Sequence, residues 1–348
     1  MKRLFRILAF PLAALAIAFA LHYSGMFKNK PAGCEFWFTT CDFMSTRVQV
    51  HGFAGDKYAA RDAQTAVFRR LEELSKIFNY YDDASVISEV NRAAGGAAVK
   101  VPAEFIRCMK SAKEYGRLSG GAMDVTIRPL LDAWKKAAEE GRTPTDEEKA
   151  AAAALVGYGR IEIDESASTV RLPAAGMKLD LGAIAKGFIV DECAAVLKGM
   201  GIESVLIEAG GDIQTFGAKP DGMPWIIAIQ NPITGLENDA ILSIAVSGRA
   251  VTTSGNYRRG YDAGGKHYSH IIDPRPPYMS AEQLPQVTIV ASDCTSADAL
   301  ATAVSVLGLE DGMKLVKSIP GVEALLITIE DGRPVLHKTE GFDKLIVR

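Results

Sequence analysis

The chain has 348 residues and a mass of 37.3 kDa, and 48% of its residues are apolar, 23% charged and 8% aromatic. These proportions are typical of globular proteins, and they exclude a long disordered chain, a collagen and a coiled coil. The formal net charge is −3, so there is no electrostatic reason to expect nucleic-acid binding. Five cysteines are too few for a disulfide scaffold, and the length allows one large domain or two modest ones.

The amino terminus has the pattern of an export signal. Three basic residues in the first six precede the uncharged, apolar run 7–21, and Lys28 and Lys30 follow it. A basic start before an apolar run predicts a signal sequence or a membrane anchor over residues 1–33, with the body, residues 34–348, outside the cytoplasm. Three alternatives stay open: an anchor in the inner membrane, a cleaved signal, and a lipoprotein with its lipid on Cys34. Export also permits a disulfide between Cys34 and Cys41.

The body shows helix and strand patterns with no linker, repeat or charge block. In its first half, in chain order, we predict helices at Ala59–Phe78, Pro102–Leu118 and Thr145–Leu155, and strands at Tyr158–Ile163, Thr169–Leu172 and Leu179–Leu181. The second half continues with a helix at Ile184–Lys198, strands at Ser204–Glu208, Trp225–Gln230, Leu242–Val246, Ala250–Thr253 and Val287–Ala291, a helix at Ala297–Leu307 and a strand at Ala324–Glu330. Helices and strands do not alternate strictly, so we expect an α+β fold.

The segment 179–187 carries the clearest chemical pattern. A short predicted strand delivers Asp180, Gly182 permits a tight turn, and a helix begins at once. The unpaired backbone N–H groups at a helix start favour anions, and Lys186 lies in the first turn, within reach of a phosphate. The spacing is not that of a Walker loop, and a purely structural glycine turn is the alternative.

The predicted helix at 297–307 carries a second pattern. Asp298 and Thr302 are four residues apart, so their oxygens share one helix face. A carboxylate and a hydroxyl together suit a hard cation such as Mg²⁺, which takes oxygen ligands. Ser296 is the expected helix cap and Gly308 the expected stop. The alternative is that Asp298 only complements the helix dipole.

Two further segments are candidates for ligand contacts. His270, in the run 268–275, is a candidate base because histidine titrates near neutral pH. The small residues of 119–126 would let a flat ring or a phosphate lie against the backbone. Glycine turns at 208–212 and 252–257 either approach a ligand closely or simply reverse the chain.

Together, in this order, these segments resemble the ApbE family, the FAD:protein FMN transferases. Six family motifs recur between residue 44 and about residue 308, and the closest is Asp-Leu-Gly-Ala-Ile-Ala-Lys-Gly at 180–187, where the family has Asp-Leu-Gly-Gly-Ile-Ala-Lys-Gly. The others are Met-Ser-Thr at 44–46, the stretch 81–91 that begins with Tyr81, Ala-Met-Asp at 122–124, Ser-His-Ile-Ile-Asp-Pro-Arg at 269–275 and Asp-Ala-Leu-Ala-Thr at 298–302.

Three positions depart from the family pattern. Ser45 replaces a glycine, Met123 replaces an aromatic residue, and Pro276-Pro277 replaces a Thr-Gly pair. We expect altered packing near the flavin at the second and a loop of different shape at the third. None of the three removes an expected metal ligand.

The resemblance implies a fold, a reaction and a set of site residues. The fold is a single compact, T-fold-related α+β domain with mixed sheets and flanking helices. The reaction is the Mg²⁺-dependent transfer of FMN from FAD to a threonine hydroxyl of an acceptor protein, with release of AMP. Asp298 is an expected catalytic residue, and our own candidate for activating the target threonine is His270, because of its position next to Ile272. The expected metal ligands are Asp298, Thr302 and the carbonyls of Ala183 and Ala301, and the expected flavin-dinucleotide contacts are Met44, Tyr81, Ala122, Met123, Asp124, Asp180, Lys186 and Ile272.

The resemblance also implies partners. Family acceptors are electron-transfer subunits of the sodium-translocating NADH:quinone reductase or of the Rnf complex, so a body held outside the inner membrane fits that use. Two rival functions stay open: an FAD pyrophosphatase that releases FMN and AMP, and a non-catalytic extracytoplasmic FAD-binding protein. Retention of Asp298 and Thr302 favours catalysis over storage.

Overall fold

A computed structural model describes residues 33–40, 43–44, 46–234, 236, 239–255 and 260–347. The predicted signal or anchor segment therefore lies outside the described residues except for Gly33, and so do Cys41 and Ser45. Cys34 is a free thiol in the first strand. Within the described part of the chain, every helix is too short or too polar to cross a bilayer.

The described chain contains seven α-helices and fifteen strands, which confirms the predicted α+β class. The helices are α1 (Lys57–Phe78), α2 (Val86–Arg92), α3 (Ala103–Leu118), α4 (Arg128–Glu139), α5 (Asp146–Ala153), α6 (Ala185–Gly199) and α7 (Cys294–Ser318). The strands are β1 (Cys34–Thr39), β2 (Val48–Ala54), β3 (Val99–Lys100), β4 (Glu162–Asp164), β5 (Thr169–Arg171), β6 (Ser204–Ala209), β7 (Asp212–Phe216), β8 (Trp225–Gln230), β9 (Ala240–Val246), β10 (Ala250–Gly255), β11 (Gly260–Ala263), β12 (Lys266–Ser269), β13 (Gln286–Ala291), β14 (Glu323–Glu330) and β15 (Arg333–Lys338).

The main sheet has eight strands in the order β1-β2-β6-β7-β10-β13-β14-β15. Helices α6 and α7 pack on one face, and the β8–β9 hairpin covers the other. Side-chain alternation serves both layers: in β14, Ala324 and Leu326 join the core under the helices, whereas Leu325 and Ile327 join the core under the hairpin. We expected mixed sheets, but all named strand pairs are antiparallel, and the parallel contact Ile127–Lys178 is an isolated bridge.

Three local predictions were wrong, and a fourth, at Gly308, was confirmed. Tyr158–Arg160 forms a 3-10 turn, and the strand there is limited to β4. Residues 179–181 form no strand, because the Asn91 side chain takes both backbone groups of Leu179. Asp293, not Ser296, caps α7. Gly308 interrupts α7 as expected, with a non-helical φ of 76°, and a second helical stretch follows this kink and ends at Ser318.

Candidate functional site

The turn before α6 is held by side chains from distant parts of the chain. Asn91 Oδ1 accepts from Leu179 N at 2.6 Å, and Asn91 Nδ2 donates to Leu179 O at 3.1 Å. The next residue, Asp180, donates its backbone N–H to Val125 O at 2.7 Å. These bonds bring the 122–126 segment and the 180–187 segment side by side, so two of the family motifs lie next to each other in the fold.

Asp180 joins an ion pair beside an exposed aromatic ring. Its Oδ1 accepts from Gly182 N at 2.9 Å, and its Oδ2 accepts from Arg128 Nη1 at 3.2 Å. The Arg128 guanidinium lies 4.3 Å from the centroid of the Tyr80 ring, an arrangement that stabilises the cation. Tyr81, perpendicular to Tyr80, is 79% exposed. A large aromatic face is thus available for stacking next to a fixed charge pair.

Lys186, which is partly buried, is the centre of a charge cluster with two buried aspartates. It forms an ion pair with Asp212, the first residue of β7, and its Nζ lies 3.5 Å from Asp298 Oδ1 on α7. Asp212 is 1% exposed and Asp298 2%. The second oxygen of Asp298 accepts from Gly187 N at 3.1 Å. Three elements, α6, β7 and α7, therefore converge on one ammonium group.

A glycine makes this convergence sterically feasible. A Cβ added at Gly187 would lie 2.2 Å from Cys294 O and 2.9 Å from Asp298 Cβ. Both contacts are closer than real Cβ atoms approach other heavy atoms. Helices α6 and α7 can lie this close together only because residue 187 has no side chain.

The cluster carries more negative than positive charge. Burial raises the pKa of Asp212 to about 7, the Asp298 charge adds to this rise, and Lys186 opposes it. Burial lowers the pKa of Lys186, but the carboxylates of Asp212 and Asp298 outweigh burial, so the net shift is upward. Above about pH 7, where Asp212 is mostly ionised, one ammonium faces two carboxylates. Asp212 Oδ1 has no hydrogen-bond partner of good geometry among the described residues. A cation bound here would neutralise this surplus.

The residues around Asp298 fit a hard cation better than a soft one. The described chain holds no group of three or more His, Cys, Asp or Glu side chains suited to a metal, so a cation at Asp298 would draw on hydroxyl and carbonyl oxygens. Thr302, half-buried, shares the helix face of Asp298, and Ala183 lies in the turn before α6. Ala301 is buried, and its carbonyl accepts the Ser305 hydroxyl at 2.8 Å. One carboxylate with neutral oxygens matches the preference of Mg²⁺.

The 122–124 segment lies mostly inside the protein. The side chains of Ala122 and Met123 are 2% and 1% exposed. Asp124 accepts from Thr126 N and Thr126 Oγ1 at 2.8 and 2.6 Å and from Tyr158 N at 2.8 Å, and burial raises its pKa. Met123 fills core space where the family has an aromatic ring. Met44, in the first of the family motifs along the chain, is partly buried and has a positive φ of 48°.

The segment with His270 follows a small hairpin that packs on α4. The Trp134 ring lies 6.4 Å from the ring of Tyr261 in β11 and 5.3 Å from that of Tyr268 in β12, and Trp134 Nε1 donates to Tyr278 O at 3.3 Å. His270, half-buried, comes directly after β12, and Ile272, 4% exposed, bridges to Ser280. The loop with Pro276-Pro277 is thereby fixed against Trp134.

Comparison with known proteins assigns the family. The model of the ApbE family matches residues 44–326. The chain belongs to the ApbE family. The FAD:protein FMN transferase of Vibrio cholerae is 33% identical over 288 residues, which cover 82% of this chain and 84% of the relative. The FAD:protein FMN transferase of Treponema pallidum is 31% identical over 274 residues, with 75% of each chain covered.

Solved ApbE structures share the fold. The apo form of the Pseudomonas stutzeri flavinyl transferase ApbE superposes with a TM-score of 0.79 at 31% identity, covering 90% of this chain and 97% of that one. The ApbE protein of Thermotoga maritima gives a TM-score of 0.80 at 30% identity, covering 90% and 100%. The resemblance deduced from six motifs is therefore confirmed as family membership.

Three residues near the ApbE motifs were missed from the sequence as parts of the site: Asp212, Arg128 and Tyr261. Asp212 follows the glycine pair of the 208–212 turn, so a carboxylate directly after a turn at a strand end was the available signal. The charges of Arg128 and Asp180 both act on the Tyr261 hydroxyl, whose pKa burial raises. Neither Arg128 nor Tyr261 stands in a motif, so only the fold reveals their place.

Proposed function

We propose that this chain transfers FMN from FAD to a threonine hydroxyl of an acceptor protein and releases AMP, with Mg²⁺ as the required cation. Family membership supports the reaction class. The observation that carries the proposal is the cluster of the partly buried Lys186 with the buried Asp212 and Asp298, whose surplus negative charge suits a divalent cation. Phosphoryl transfer depends mainly on charge neutralisation and positioning, which such a cluster provides.

We assign the metal site to Asp298, Thr302 and the carbonyl groups of Ala183 and Ala301. Mg²⁺ bound there supplies neutralisation of the FAD diphosphate. Lys186 adds a fixed positive charge at the same place, and Asp212 holds its ammonium in position. Helix α6, which begins at Ala185, presents its N-terminus toward the same region and favours an anion there.

Binding of the flavin is assigned to the aromatic wall next to Asp180. The exposed Tyr81 ring offers a stacking face, and the fixed Arg128–Asp180 pair offers polar contacts at its edge. The side chains of Ala122 and Met123 are buried. We therefore assign the contacts of 122–124 with the flavin to the backbone of this segment. Met44 and Ile272 complete the assigned contacts.

The chemical step is a displacement at the FMN phosphorus. The threonine oxygen forms a new bond to that phosphorus, the bond to the bridging oxygen of the diphosphate breaks, and AMP leaves with that oxygen. His270 takes the threonine proton, because a histidine is half-protonated near neutral pH and is suited to general-base work. Replacement of His270 by Ala should slow transfer at least about 100-fold, while FAD binding stays within twofold; an unchanged transfer rate would remove His270 from the mechanism.

One assay tests the reaction and its rivals. The full-length protein is incubated with FAD, Mg²⁺ and an acceptor peptide, in parallel with the same peptide carrying Val in place of the acceptor Thr. We expect the peptide mass to rise by one FMN phosphoester, with one AMP released per flavin attached, and no change in the Val peptide. Free FMN with both peptides would indicate a pyrophosphatase, and intact FAD in both would indicate a storage protein.

The cellular setting is the remaining part of the proposal. We place the body outside the inner membrane, held there by residues 1–33, with exported subunits of the sodium-translocating NADH:quinone reductase or the Rnf type as acceptors. The basic-then-apolar start of the sequence supports this placement. Membrane fractionation and protease accessibility in intact spheroplasts test it. Recovery of the full-length protein in the cytosolic fraction would contradict it.

A further inference from the structure

Helices α6 and α7 are tied together at two neighbouring points. At the first, Gly187 N donates to Asp298 Oδ2 at 3.1 Å. At the second, one turn further along α6, the carboxylate of Asp191 receives hydrogen bonds from the start of α7. Because Asp191 is four residues after Gly187, and Thr295 is three residues before Asp298, both points lie on the facing sides of the two helices.

Asp191 accepts three hydrogen bonds from α7. Its Oδ1 accepts from Cys294 N at 2.9 Å, and its Oδ2 accepts from Thr295 N at 2.8 Å and from Thr295 Oγ1 at 2.6 Å. Bonds to an ionised carboxylate are shorter and stronger than bonds between neutral groups. Asp191 therefore binds both the backbone and a side chain at the beginning of the helix that carries Asp298.

The bonds of Asp191 differ in kind from an ordinary helix cap. Helix α7 already has its own cap, since Asp293 Oδ1 accepts from Ser296 N at 2.8 Å and from Ser296 Oγ at 2.5 Å. Asp293 belongs to the chain that enters α7, so it stabilises the end of the helix without reference to α6. Asp191 belongs to α6, so its bonds fix where α7 stands relative to Lys186.

We propose that Asp191 is a positioning residue that places Asp298 opposite Lys186 and thereby sets the affinity of the cation site. The inference rests on the proposed function in one respect, namely that Asp298 binds the cation. Two contacts on successive turns fix both the separation and the rotation of two packed helices at this end, whereas the Gly187–Asp298 contact alone fixes them at one point. A shift of less than 1 Å at Asp298 is enough to spoil a site for Mg²⁺, which demands near-ideal octahedral geometry.

Asparagine is the informative replacement for Asp191. It has the same shape, but only one of its two terminal atoms accepts a hydrogen bond, and its NH₂ group would face donors. Asp191 also borders an open groove of about 790 Å³ that Tyr115, Lys198 and Thr295 help to line. Water can therefore reach the altered amide, and we expect Asp191→Asn to fold.

The experiment measures cation affinity apart from turnover. Mn²⁺ serves as the probe: it is titrated into the full-length protein with FAD and without acceptor, and free Mn²⁺ is followed by electron paramagnetic resonance. We expect Asp191→Asn to raise the Mn²⁺ dissociation constant at least about tenfold, and to raise the Mg²⁺ concentration for half-maximal transfer by a similar factor. The kcat at saturating Mg²⁺ should stay within about threefold, because added cation restores occupancy.

The matched control is Asp293→Asn, at the same end of the same helix. It removes a negative charge at the start of α7 but no bond to α6, and the amide oxygen can still accept from Ser296 N, so we expect its Mn²⁺ dissociation constant to stay within about twofold of the unmodified protein. Thr295→Ala, which removes one of the three bonds, should shift the constant about threefold and serves as the test if Asp191→Asn does not fold. Equal Mn²⁺ affinities in the Asp191 and Asp293 variants, or a lower kcat with unchanged cation dependence, would overturn the proposal.

The outcomes separate this inference from the proposed function. If the unmodified protein binds Mn²⁺ but attaches no flavin to the acceptor peptide, transfer is refuted, and the Asp191 comparison still stands on cation affinity. If transfer occurs and the Asp191 variant keeps normal cation affinity, the positioning role is refuted and the proposed function stands.

Discussion

The two faces of the main sheet are buried by different means. On one face, α6 and α7 bring charged residues into the interior, where Lys186 meets two carboxylates that are almost fully buried. On the other face, the β8–β9 hairpin supplies an apolar layer that includes Trp225 and Ile244 and is closed by Phe342. The same strands thus separate an apolar core that also holds a cluster of charged side chains from an apolar layer under the hairpin.

This contrast indicates that the two faces have different roles, one in function and the other in stability. Buried charges cost free energy and are retained where they serve a function, whereas apolar packing stabilises the fold without chemistry. We therefore expect substitutions on the helix face to change transfer more than stability, and substitutions under the hairpin to do the reverse.

The largest effect is expected from Asp298→Asn. The substitution keeps the shape of the side chain but removes the one carboxylate assigned to the cation, so transfer should fall at least about 1000-fold. The surplus negative charge of the cluster falls as well, so the midpoint of thermal unfolding should not decrease by more than a few degrees. Steady-state kinetics measure the transfer rate, and scanning calorimetry measures the unfolding midpoint. A transfer rate within tenfold of the unmodified protein would contradict the assignment of Asp298 to the cation.

The opposite pattern is expected from Trp225→Ala. Trp225 is 2% exposed, packs near His51 and Phe53, and donates to Gly217 O at 3.2 Å. Its truncation should lower the free energy of unfolding by about 3–5 kcal/mol. Transfer per folded molecule should remain within about twofold at low temperature. Chemical denaturation gives the first quantity, and a large loss of transfer in the folded variant would show that the two faces are not independent.

A third substitution tests the contact between the helices themselves. Gly187→Ala places a Cβ against Cys294 O, so α6 and α7 must separate, at a cost of about 3 kcal/mol in unfolding free energy and at least about tenfold in transfer. Gly199→Ala, at the other end of the same helix, has nothing within 4 Å of the added atom. That control should raise stability by about 0.5 kcal/mol and leave transfer unchanged. Equal effects at the two positions would contradict the role of Gly187 in the close approach of α6 and α7.

The sequence predicted the elements well where local patterns decide them. Ala63, Val67, Leu71 and Leu74 recur at helical spacing, and all are buried in α1. Thr145 caps α5 with Glu148 in a capping box, within one residue of the predicted start. In such places the hydrophobic periodicity and the cap chemistry lie within a few residues of each other, so the chain itself carries the information.

Long-range contacts account for what the sequence did not predict. Residues 179–181 match a strand pattern, but the side chain of Asn91, 88 residues earlier, takes the backbone bonds of Leu179. Likewise Ser296 is a good cap by composition, but Asp293 occupies the cap position and uses Ser296 as a donor. Asp212 joins the site only because β7 begins beside α6. The motifs identified the family, whereas the hydrogen-bond and ion-pair partners of their side chains became visible only in the fold.

The smallest effect concerns the pH dependence of stability through Asp191. Burial raises the pKa of Asp191 to about 6, from an ordinary value of 3.8. Between these two values the folded protein binds more protons at this group than the unfolded chain does, so the contribution of Asp191 to stability falls as the pH rises. From about pH 4 to about pH 6 this loss amounts to about 2 kcal/mol. Asp191→Asn does not titrate, so the difference in unfolding free energy between the unmodified protein and the variant, measured without metal by urea denaturation, should shrink by that amount across this range. A difference that stays constant from pH 4 to pH 6 would show that Asp191 is already ionised at the lower pH, and that the contact between α6 and α7 tolerates this carboxylate as readily as water does.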